Sequence, residues 1–371
     1  MKILFTGGGT GGHIFPIIAI AREIKKISPD IELLYIGPKD RWAHLFLPEE
    51  GIKVKTIFAG KIRRYLGPKE ILLNIIDLFK LFLGTFQAFF WIFIKSPDVI
   101  FSKGGYGSIP VVISGKILQV PIFLHESDIA PGLANKILGK LALAIFVSFP
   151  KTEYFNPKKM ILTGNPIRRE LLEGSKQRAK TLFRLTGEKP VLLVIGGSQG
   201  AQRINDLLLL ILPELLQDFE VLHQAGFKNF KQVKAEAKVV IKKEQEKYYH
   251  LFPFLREHEL REALAVADIV VSRAGSGSIF EIAAAGLPSI LIPLPEAAQN
   301  HQVKNAYAFS QNGASIVIEE ANLTPHFFLE KLKFLISRPN LLKKMAKAAK
   351  EFSKPEAGQT IANYLVEYLT K

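Results

Sequence analysis

A short apolar run followed at once by a glycine-rich loop occurs twice in this chain, and this repeat constrains the fold more than any other feature. The first copy is Ile3–Phe5 with the loop Gly7–Gly12, and helical periodicity follows over Ile14–Ile27. The second copy is Val191–Ile195 with the loop Gly196–Gly200. Continuous apolar runs that alternate with helices are typical of buried strands in an open parallel sheet. The sequence therefore predicts two doubly wound α/β domains with a cleft between them.

The remaining apolar runs continue this pattern in both halves of the chain. Further predicted strands are Ile31–Ile36, Val99–Phe101, Ile122–Leu124, Ala144–Val147, Glu220–His223, Ile269–Ser272, Ser289–Ile292 and Ala314–Val317. A chain of 371 residues is too long for one ordinary core, which also favours two domains. We place the first domain at residues 1–164 and the second at 165–354. The tail at 355–371 is predicted to be one more helix that packs back on the first domain.

The composition excludes several kinds of chemistry. The chain contains no cysteine, so disulfides, thiolate metal sites and a cysteine nucleophile are ruled out. The N-terminal apolar run is too short for a signal peptide, so export is not expected. Lys and Arg total 49 against 34 Asp and Glu, a formal charge of +15. Such a surface attracts polyanions, but charge alone does not choose among nucleic acid, anionic lipid and phosphorylated substrates.

The most apolar segment of the chain is Ile71–Ile94. Its first half is interrupted by Asn74, Asp77 and Lys80, which disfavours a membrane span and favours amphipathic or buried helices. Plain core packing and contact with a membrane surface carry equal weight for this segment. Basic residues just before and at its start favour a surface that meets anionic lipid, and these are Lys61, Arg63, Arg64 and Lys69.

The first glycine loop contains the spacing G-x-G-x-x-G between a strand and a helix. Backbone amides in such a loop approach phosphate closely at a helix N-terminus. A dinucleotide site also needs an acidic residue at the end of the second strand, whereas Asp30 and Glu32 lie at its start, which argues against an NAD enzyme. A tight turn that merely needs small residues is the alternative. The loop Gly196–Gly200 is a second candidate for a phosphate site.

A third loop, Ser272–Ser278, precedes another helical pattern. Its backbone amides are predicted to hold a pyrophosphate without a metal ion. Glu281 lies three residues after Ser278, so its carboxylate is a candidate acceptor for a ribose diol. The same spacing is that of a capping box, and spacing alone favours the cap.

Candidate catalytic groups follow two of the strands. His13 ends the first glycine loop, where an imidazole can take a proton from an attacking hydroxyl near neutral pH. Glu126 and Asp128 follow another strand, and Asp128 is alternatively the cap of a helix that begins near Pro131. We find no Asp-x-Asp pair and no two-histidine spacing, so no metal and no cofactor is predicted.

Seven segments match, in order, the motifs of one known family. They are GGTGGHIFP (8–16), SKGGYGS (102–108), HESDIAPGLANK (125–136), GNPIR (164–168), GGSQGAQRIN (196–205), SRAGSGSIFEIAAAGLP (272–288) and HQVKNA (301–306). Together they resemble the MurG family of N-acetylglucosamine transferases, part of glycosyltransferase family 28. The resemblance implies the twin Rossmann-like architecture called GT-B. It also implies inverting transfer of N-acetylglucosamine from UDP-N-acetylglucosamine to the muramoyl 4-hydroxyl of lipid I, giving lipid II in peptidoglycan synthesis.

The resemblance further implies which residues bind the substrates. Implied UDP-N-acetylglucosamine contacts are Thr10, Gly11, Gly12, Asp128, Arg168, Ser198, Leu255, Ser276, Gly277, Ser278, Glu281, His301 and Gln302. Among them, Leu255 is placed near the uracil, Glu281 at the ribose and Gln302 at the sugar. The acceptor diphosphate is placed at Gly11 and Gly12, with Tyr106 on the same side.

His13 and Glu126 are the implied catalytic residues, with His13 the first choice for the general base. Asp128 departs from the family, which usually has asparagine there. An aspartate accepts hydrogen bonds from a sugar hydroxyl but cannot donate as asparagine does, and it is a like charge beside a diphosphate.

The resemblance also implies a location and partners. It places the protein as a peripheral protein on the cytoplasmic face of the bacterial inner membrane, with anionic lipid and other cell-wall synthesis proteins as partners, and connects it with cell shape and division. Rival interpretations are another GT-B transferase that makes glycolipids and a nonhydrolysing sugar-nucleotide epimerase. A nucleic-acid-binding module is a third rival, but the chain has no zinc spacing or helix-turn-helix signature, so no nucleic-acid partner is predicted.

Overall fold

A computed structural model describes residues 1–61, 67–152, 154–197 and 200–371. These residues form two compact units. Unit 1 comprises Met1–Arg168 together with Lys354–Lys371, and unit 2 comprises Arg169–Ser353. The chain leaves unit 1 after Arg168, shortly beyond the predicted limit at residue 164. The acceptor and donor roles assigned to the two halves remain predictions.

The described part of unit 1 contains one seven-stranded sheet in which neighbouring strands run parallel. Its strands are β1 Lys2–Thr6, β2 Glu32–Gly37, β3 Lys53–Thr56, β4 Val99–Ser102, β5 Ile122–Glu126, β6 Ala144–Val147 and β7 Met160–Leu162. The spatial order is β3-β2-β1-β4-β5-β6-β7, and Ile3 of β1 pairs with Leu33 on one side and Val99 on the other. The strand order therefore reverses at β1, and in open α/β sheets ligands bind beside such a point.

Helices cover both faces of this sheet. They are α1 Gly11–Ile27, α2 Arg41–Phe46, α3 Pro68–Lys95, α4 Ile109–Ile117 and α5 Leu133–Leu138. Because side chains alternate along a strand, Ile3 and Phe5 of β1 face the cluster that contains α1. Leu4 faces the opposite cluster, which contains residues of α3 and α4. The sheet is consequently buried on both faces, as its continuous apolar runs predicted.

Unit 2 repeats this plan with a six-stranded parallel sheet in its described residues. The strands are β8 Val191–Ile195, β9 Glu220–Gln224, β10 Tyr249–Phe252, β11 Ile269–Ser272, β12 Ser289–Leu291 and β13 Ser315–Val317, in the order β10-β9-β8-β11-β12-β13. The helices are α6 Lys176–Phe183, α7 Gln202–Asp218, α8 Phe230–Val240, α9 Glu257–Val266, α10 Ser276–Ala285, α11 His301–Ser310, α12 Pro325–Ile336 and α13 Pro339–Phe352. The order reverses at β8, and the second glycine loop leaves the sheet there.

The last helix, α14 Ala357–Thr370, belongs to unit 1. Ile361 and Leu365 lie in the same apolar cluster as the buried side chains of α1. Gly358 also faces α1, where an added Cβ atom would make ordinary contact, 3.6 Å from the Ala19 carbonyl oxygen. The C-terminal residues thus complete a core that begins at the N-terminus.

The structure corrects one local prediction in unit 1. Helix α5 begins at Leu133, and its N-cap residue is Gly132. Asp128 therefore does not cap this helix, and Pro131 precedes its first turn instead of forming it. The peptide N–H of Asp128 is instead bonded to the side chain of Glu126, so this segment is a loop held by a carboxylate.

The apolar segment at Ile71–Ile94 lies in one continuous helix, α3. Helix α3 is amphipathic, because Asp77, Ala88 and Ile92 are buried whereas Phe82 and Phe86 are each 70% exposed. By length and composition alone, Glu70–Lys95 would be able to cross a membrane. Its inner face is nevertheless occupied by protein, since the Ser114 hydroxyl of α4 donates to the carbonyl of Thr85 on α3.

Two glycines allow the segment before α3 to lie directly against this helix. A Cβ atom on Gly84 would stand 1.8 Å from the carbonyl oxygen of Phe58, and one on Gly60 would stand 1.8 Å from that of Asp77. The Phe58 amide also donates to the Gln87 side chain over 2.8 Å. We call the segment at residues 57–61 the strap. Any side chain at Gly84 must push the strap away from the helix.

We predict that Gly84→Ala destabilises unit 1 although alanine is the better helix former. The propensity gain is about 1 kcal/mol, whereas forcing extra atoms into a packed contact costs about 1–3 kcal/mol. Urea unfolding followed by tryptophan fluorescence is a suitable measurement, because both tryptophans, Trp42 and Trp91, lie in unit 1.

Gly12→Ala is the matched control for this substitution. It lies in α1 of the same unit, and its added Cβ would make only ordinary contact, 3.4 Å from the Thr10 hydroxyl oxygen. Gly84→Ala should therefore unfold at a lower urea concentration than both the parent protein and Gly12→Ala. A higher midpoint for Gly84→Ala would contradict the close contact.

Candidate active site

The loop after β1 is shaped by two side chains from neighbouring elements. The Tyr35 hydroxyl donates to the Gly7 carbonyl over 2.8 Å, and the Gly9 amide donates to the Asp40 carboxylate over 2.8 Å. Gly8 and Gly9 have φ angles of +137° and +108°, which side chains rarely permit. Because Asp40 already takes the Gly9 amide, the anion-binding amides of this loop must be those at the start of α1.

Helix α1 begins at Gly11, and its N-cap residue Thr10 makes no capping hydrogen bond with its side chain. The first-turn amides, including those of Gly11 and Gly12, are therefore available to an anion at the positive end of the helix dipole. His13 is the third residue of the helix, with its Nδ1 atom 3.3 Å from the Thr10 hydroxyl oxygen. The predicted acceptor residues and the predicted base thus share one helix start.

The loop after β4 lies directly against the loop after β1. A Cβ atom on Gly105 would stand 2.9 Å from the Gly8 carbonyl oxygen and 3.1 Å from Nε2 of His13. A Cβ atom on Gly9 would likewise stand 3.1 Å from the ring of Tyr106, which is half-buried. The structure therefore brings Tyr106 and His13 together, as expected of residues that follow adjacent parallel strands.

Glu126 is the last residue of β5, and it is almost fully buried, at 3% exposure. One carboxylate oxygen accepts from the Asp128 amide over 2.9 Å, and the other accepts from the Asn135 side chain over 2.8 Å. Both oxygens are thus engaged in ordering the loop after β5. A catalytic role for Glu126 remains a prediction.

A buried cation, Lys103, lies at the end of β4 and was not singled out from the sequence. Its ammonium group contacts the Ser127 hydroxyl, and burial lowers the pKa of Lys103 to about 8 against the opposing effect of Glu126 and Asp128. Burial, and then the charge of Asp128, raise the pKa of Glu126 to about 7. The position directly after a predicted strand was the signal available for Lys103, but sequence does not show that a lysine is buried.

Arg168 belongs to unit 1, where its guanidinium group lies 4.1 Å from the centroid of the Phe15 ring on α1. Burial of this residue beside α1 places it with the acceptor residues of unit 1. Its predicted contact with the donor diphosphate remains a prediction. Phe15 supplies a surface for the cation, a common way of orienting arginine.

In unit 2, the loop after β8 is fixed by Gln224, another residue that the sequence analysis missed. The Gln224 amide donates to the Gly197 carbonyl over 3.2 Å, and its oxygen accepts from the Leu255 amide over 2.9 Å. Leu255, the predicted uracil neighbour, is thereby connected to the glycine loop. Ser198 lies outside the described residues.

Helix α10 begins at Ser276 with Gly275 as its N-cap, so the predicted capping box of Ser278 and Glu281 is wrong. Ser278 lies within the first turn, two residues after the helix starts, and Glu281 lies one turn later. Gly275 has no side chain with which to cap the helix. The amides of a helix first turn without an N-cap side chain are the kind of group that binds an anion, and Ser276, Gly277 and Ser278 lie in this turn.

His301 and Gln302 open helix α11. The Gln302 side chain accepts from the Leu294 amide over 3.0 Å, and Nδ1 of His301 lies 2.6 Å from the Ala298 carbonyl oxygen. Just before them, Gln299 and Asn300 have φ angles of +57° and +55°. Such left-handed backbone at non-glycine residues costs energy and is concentrated at functional loops.

In the described part of the chain, no group of three or more His, Cys, Asp or Glu side chains could hold a metal ion. The polar groups of the two units instead fit anion binding by backbone amides, at the start of α1 in unit 1 and at the start of α10 in unit 2. The loops that hold these groups follow β1, β4 and β5 in one sheet and β8 and β11 in the other.

Comparison with known proteins agrees with this geometry. The model of the glycosyltransferase family 28 N-terminal domain matches residues 3–147, and that of the family 28 C-terminal domain matches residues 191–361. A Clostridium tetani protein named UDP-N-acetylglucosamine–N-acetylmuramyl-(pentapeptide) pyrophosphoryl-undecaprenol N-acetylglucosamine transferase is 38% identical over 93% of this chain and 92% of its own. A Bacillus cereus protein of the same name, numbered 2, is 37% identical over 99% of both chains.

A solved structure shares the fold. The crystal structure of Acinetobacter baumannii MurG superposes with a TM-score of 0.72 at 24% identity and covers 99% of both chains. The two parallel sheets with flanking helices are those of the GT-B fold. Within that class, the chain belongs to glycosyltransferase family 28.

We predict that Asp128→Asn lowers the pKa of Glu126 towards its ordinary value of 4.5. The charge of Asp128 raises that pKa, and removing it favours the ionised form of Glu126. The measurement is a carbon NMR titration of protein labelled at glutamate side-chain carboxyls, with Glu126→Gln used to assign the signal. A midpoint that stays unchanged in Asp128→Asn would show that the two carboxylates do not interact.

Proposed function

We propose that this chain transfers N-acetylglucosamine from UDP-N-acetylglucosamine to the muramoyl 4-hydroxyl of lipid I, which gives lipid II. The observation that carries the proposal is identity of 37–38% across almost the whole chain to relatives whose names state this transfer. The helix starts described above agree with it, because both substrates carry a diphosphate. Inversion at the anomeric carbon follows if the hydroxyl displaces UDP in a single step.

The donor is assigned to unit 2. Its diphosphate would lie at the first turn of α10, which Ser276 and Gly277 open behind the N-cap residue Gly275. The amide donors of this turn stabilise the negative charge that develops on UDP as the glycosidic bond breaks. Glu281 is then the ribose acceptor, and Gln302 and His301 contact the sugar.

The acceptor is assigned to unit 1. Its diphosphate would lie at the start of α1, beside Gly11, Gly12 and Tyr106. His13 is the proposed general base. If its Nδ1 proton is donated to the Thr10 oxygen, Nε2 carries the lone pair that removes the proton of the attacking hydroxyl.

We expect the purified protein, given UDP-N-acetylglucosamine and a lipid I analogue, to release UDP and form the disaccharide product in the presence of EDTA. His13→Ala should lower kcat by about 100-fold or more, the usual contribution of a positioned base. UDP binding measured by calorimetry should be unchanged in this variant. His44→Ala, an exposed histidine of the same unit, is the matched control and should keep full activity.

Two outcomes of this assay would overturn parts of the proposal. Absence of disaccharide with the parent protein, or a changed sugar nucleotide formed from the donor alone, would remove the transfer and favour an epimerase. Full activity of His13→Ala would leave the transfer in place and remove His13 as the base.

The same proposal places the protein on the cytoplasmic face of the bacterial membrane, because lipid I is held there by its undecaprenyl chain. Helix α3 supports this location. Leu78, Phe82 and Phe86 follow each other at four-residue spacing and are each at least 64% exposed. Lys80 and the exposed Lys61 add positive charge that attracts anionic lipid. Arg63 and Arg64 lie outside the described residues.

We predict that the α3 face lies on the bilayer surface and does not span it, because α4 and the strap at residues 57–61 cover the other face. Replacing Leu78, Phe82 and Phe86 together by serine should weaken binding to vesicles containing anionic lipid by at least tenfold in a sedimentation assay. UDP binding should be retained. The control is Leu210→Ser with Val239→Ser, two exposed apolar residues of unit 2.

Equal vesicle binding by the triple variant and the control would contradict the docking face. So would protection of only one end of α3 from protease added outside sealed vesicles, lost when detergent opens them, since that pattern is expected of a spanning helix.

A further inference from the structure

Lys103 is the charged group of unit 1 whose function the proposed mechanism does not explain. It lies directly after β4 and is only 2% exposed. A lysine is rarely buried to this extent unless it is paired, because transfer of its charge from water is unfavourable. A group must therefore compensate it within the protein.

The compensating groups lie in the loop after β5. The Lys103 ammonium contacts the hydroxyl of Ser127, which stands between Glu126 and Asp128 in the chain. Both carboxylates act to raise the pKa of Lys103 against the effect of burial. The Ser127 hydroxyl also donates to the Asn165 side chain over 3.1 Å. Lys103 thus connects the ends of β4 and β5 to the last loop of unit 1.

The other titratable neighbour is His125, which is fully buried in β5. Burial and then the charge of Lys103 lower the pKa of His125 well below its ordinary value, so this imidazole is neutral. The charges of the cluster are therefore one ammonium and two carboxylates. Glu126 is partly neutralised by its own raised pKa, which leaves Asp128 as the carboxylate that Lys103 must balance.

This balance matters because of what the cluster adjoins. A Cβ atom on Gly7 of the first glycine loop would lie 3.2 Å from Cβ of Lys103. The cluster is thus packed against the loop that leads into α1, where the proposed acceptor diphosphate binds. An uncompensated carboxylate there would repel a diphosphate through protein of low dielectric constant, where charges are poorly screened.

We propose that Lys103 is a positioning residue for the acceptor, which balances the charge of Asp128 and fixes Ser127, so that the ends of β4 and β5 present less negative charge to the acceptor diphosphate. The proposal rests on the function proposed above and adds a determinant of acceptor binding to it. It requires that the effect of Lys103 depend on the charge at Asp128.

The experiment compares the parent protein with Lys103→Met, Asp128→Asn and the double variant. Methionine retains the length of the lysine chain without its charge. We expect Lys103→Met to lower kcat/KM for the lipid I analogue at least tenfold, mainly through KM. In the Asp128→Asn background, the same substitution should lower kcat/KM for the lipid I analogue by less than about threefold. KM for UDP-N-acetylglucosamine should stay within twofold in Lys103→Met, because unit 2 is unaltered. Lys140→Met, an exposed lysine of the same unit, is the control.

The outcomes separate this inference from the proposed function. An inactive parent protein would contradict the function itself. An active parent protein with the same loss from Lys103→Met in both backgrounds would overturn the charge balance, as would an equal loss of donor and acceptor efficiency. If Lys103→Met does not fold, a folded and active double variant supports the proposal, and a double variant that also fails to fold contradicts it.

Discussion

The backbone contact between the loops after β1 and β4 is the constraint on which the rest of unit 1 depends. It leaves no room for a side chain at Gly105, which faces the Gly8 carbonyl and the imidazole of His13. Because the strands are parallel and adjacent, their carboxyl ends deliver both loops to the same edge. Every proposed acceptor residue of this unit is then held within reach of the start of α1.

The proposed anion sites consist mainly of backbone groups. At α10 the N-cap residue is Gly275, which has no side chain, and at α1 the side chain of the N-cap residue Thr10 makes no capping hydrogen bond. Side chains instead hold the loops in shape: Asp40 does so in unit 1 and Gln224 in unit 2. Preorganised amides need no reorganisation when charge develops on a leaving group, which is why a metal ion is not required for this chemistry in principle.

Sequence predicted the central strands and the strand-loop-helix repeat because these carry continuous apolar runs. It missed the edge strand β3, whose residues Lys53–Thr56 are largely exposed and half charged, and the edge strands β7 and β10, whose side chains are only partly buried or exposed. It also misplaced the start of α10, since the spacing of Ser278 and Glu281 satisfies a capping box in sequence but the helix begins two residues earlier. The spacing of two residues in the sequence does not show at which residue the helix begins.

The site was predictable to the extent that its residues follow strands. His13 was found this way, whereas Tyr106 was implied only by the family resemblance, and their two loops lie against each other. Lys103 was not predicted to be a site residue. Its importance depends on its burial near Asp128, and burial depends on tertiary contacts that sequence spacing does not encode. Ser198 lies outside the described residues, and its role stays a prediction.

Helix α14 has a consequence for how the chain becomes folded during synthesis. Unit 2 interrupts unit 1 in the sequence, and Ile361 and Leu365 cover a face of α1 that was made more than three hundred residues earlier. In a nascent chain that has emerged only as far as unit 2, the apolar side of α1 is not yet covered by α14. Unit 1 therefore completes its core only after α14 has been synthesised, although domains usually fold in order of their synthesis.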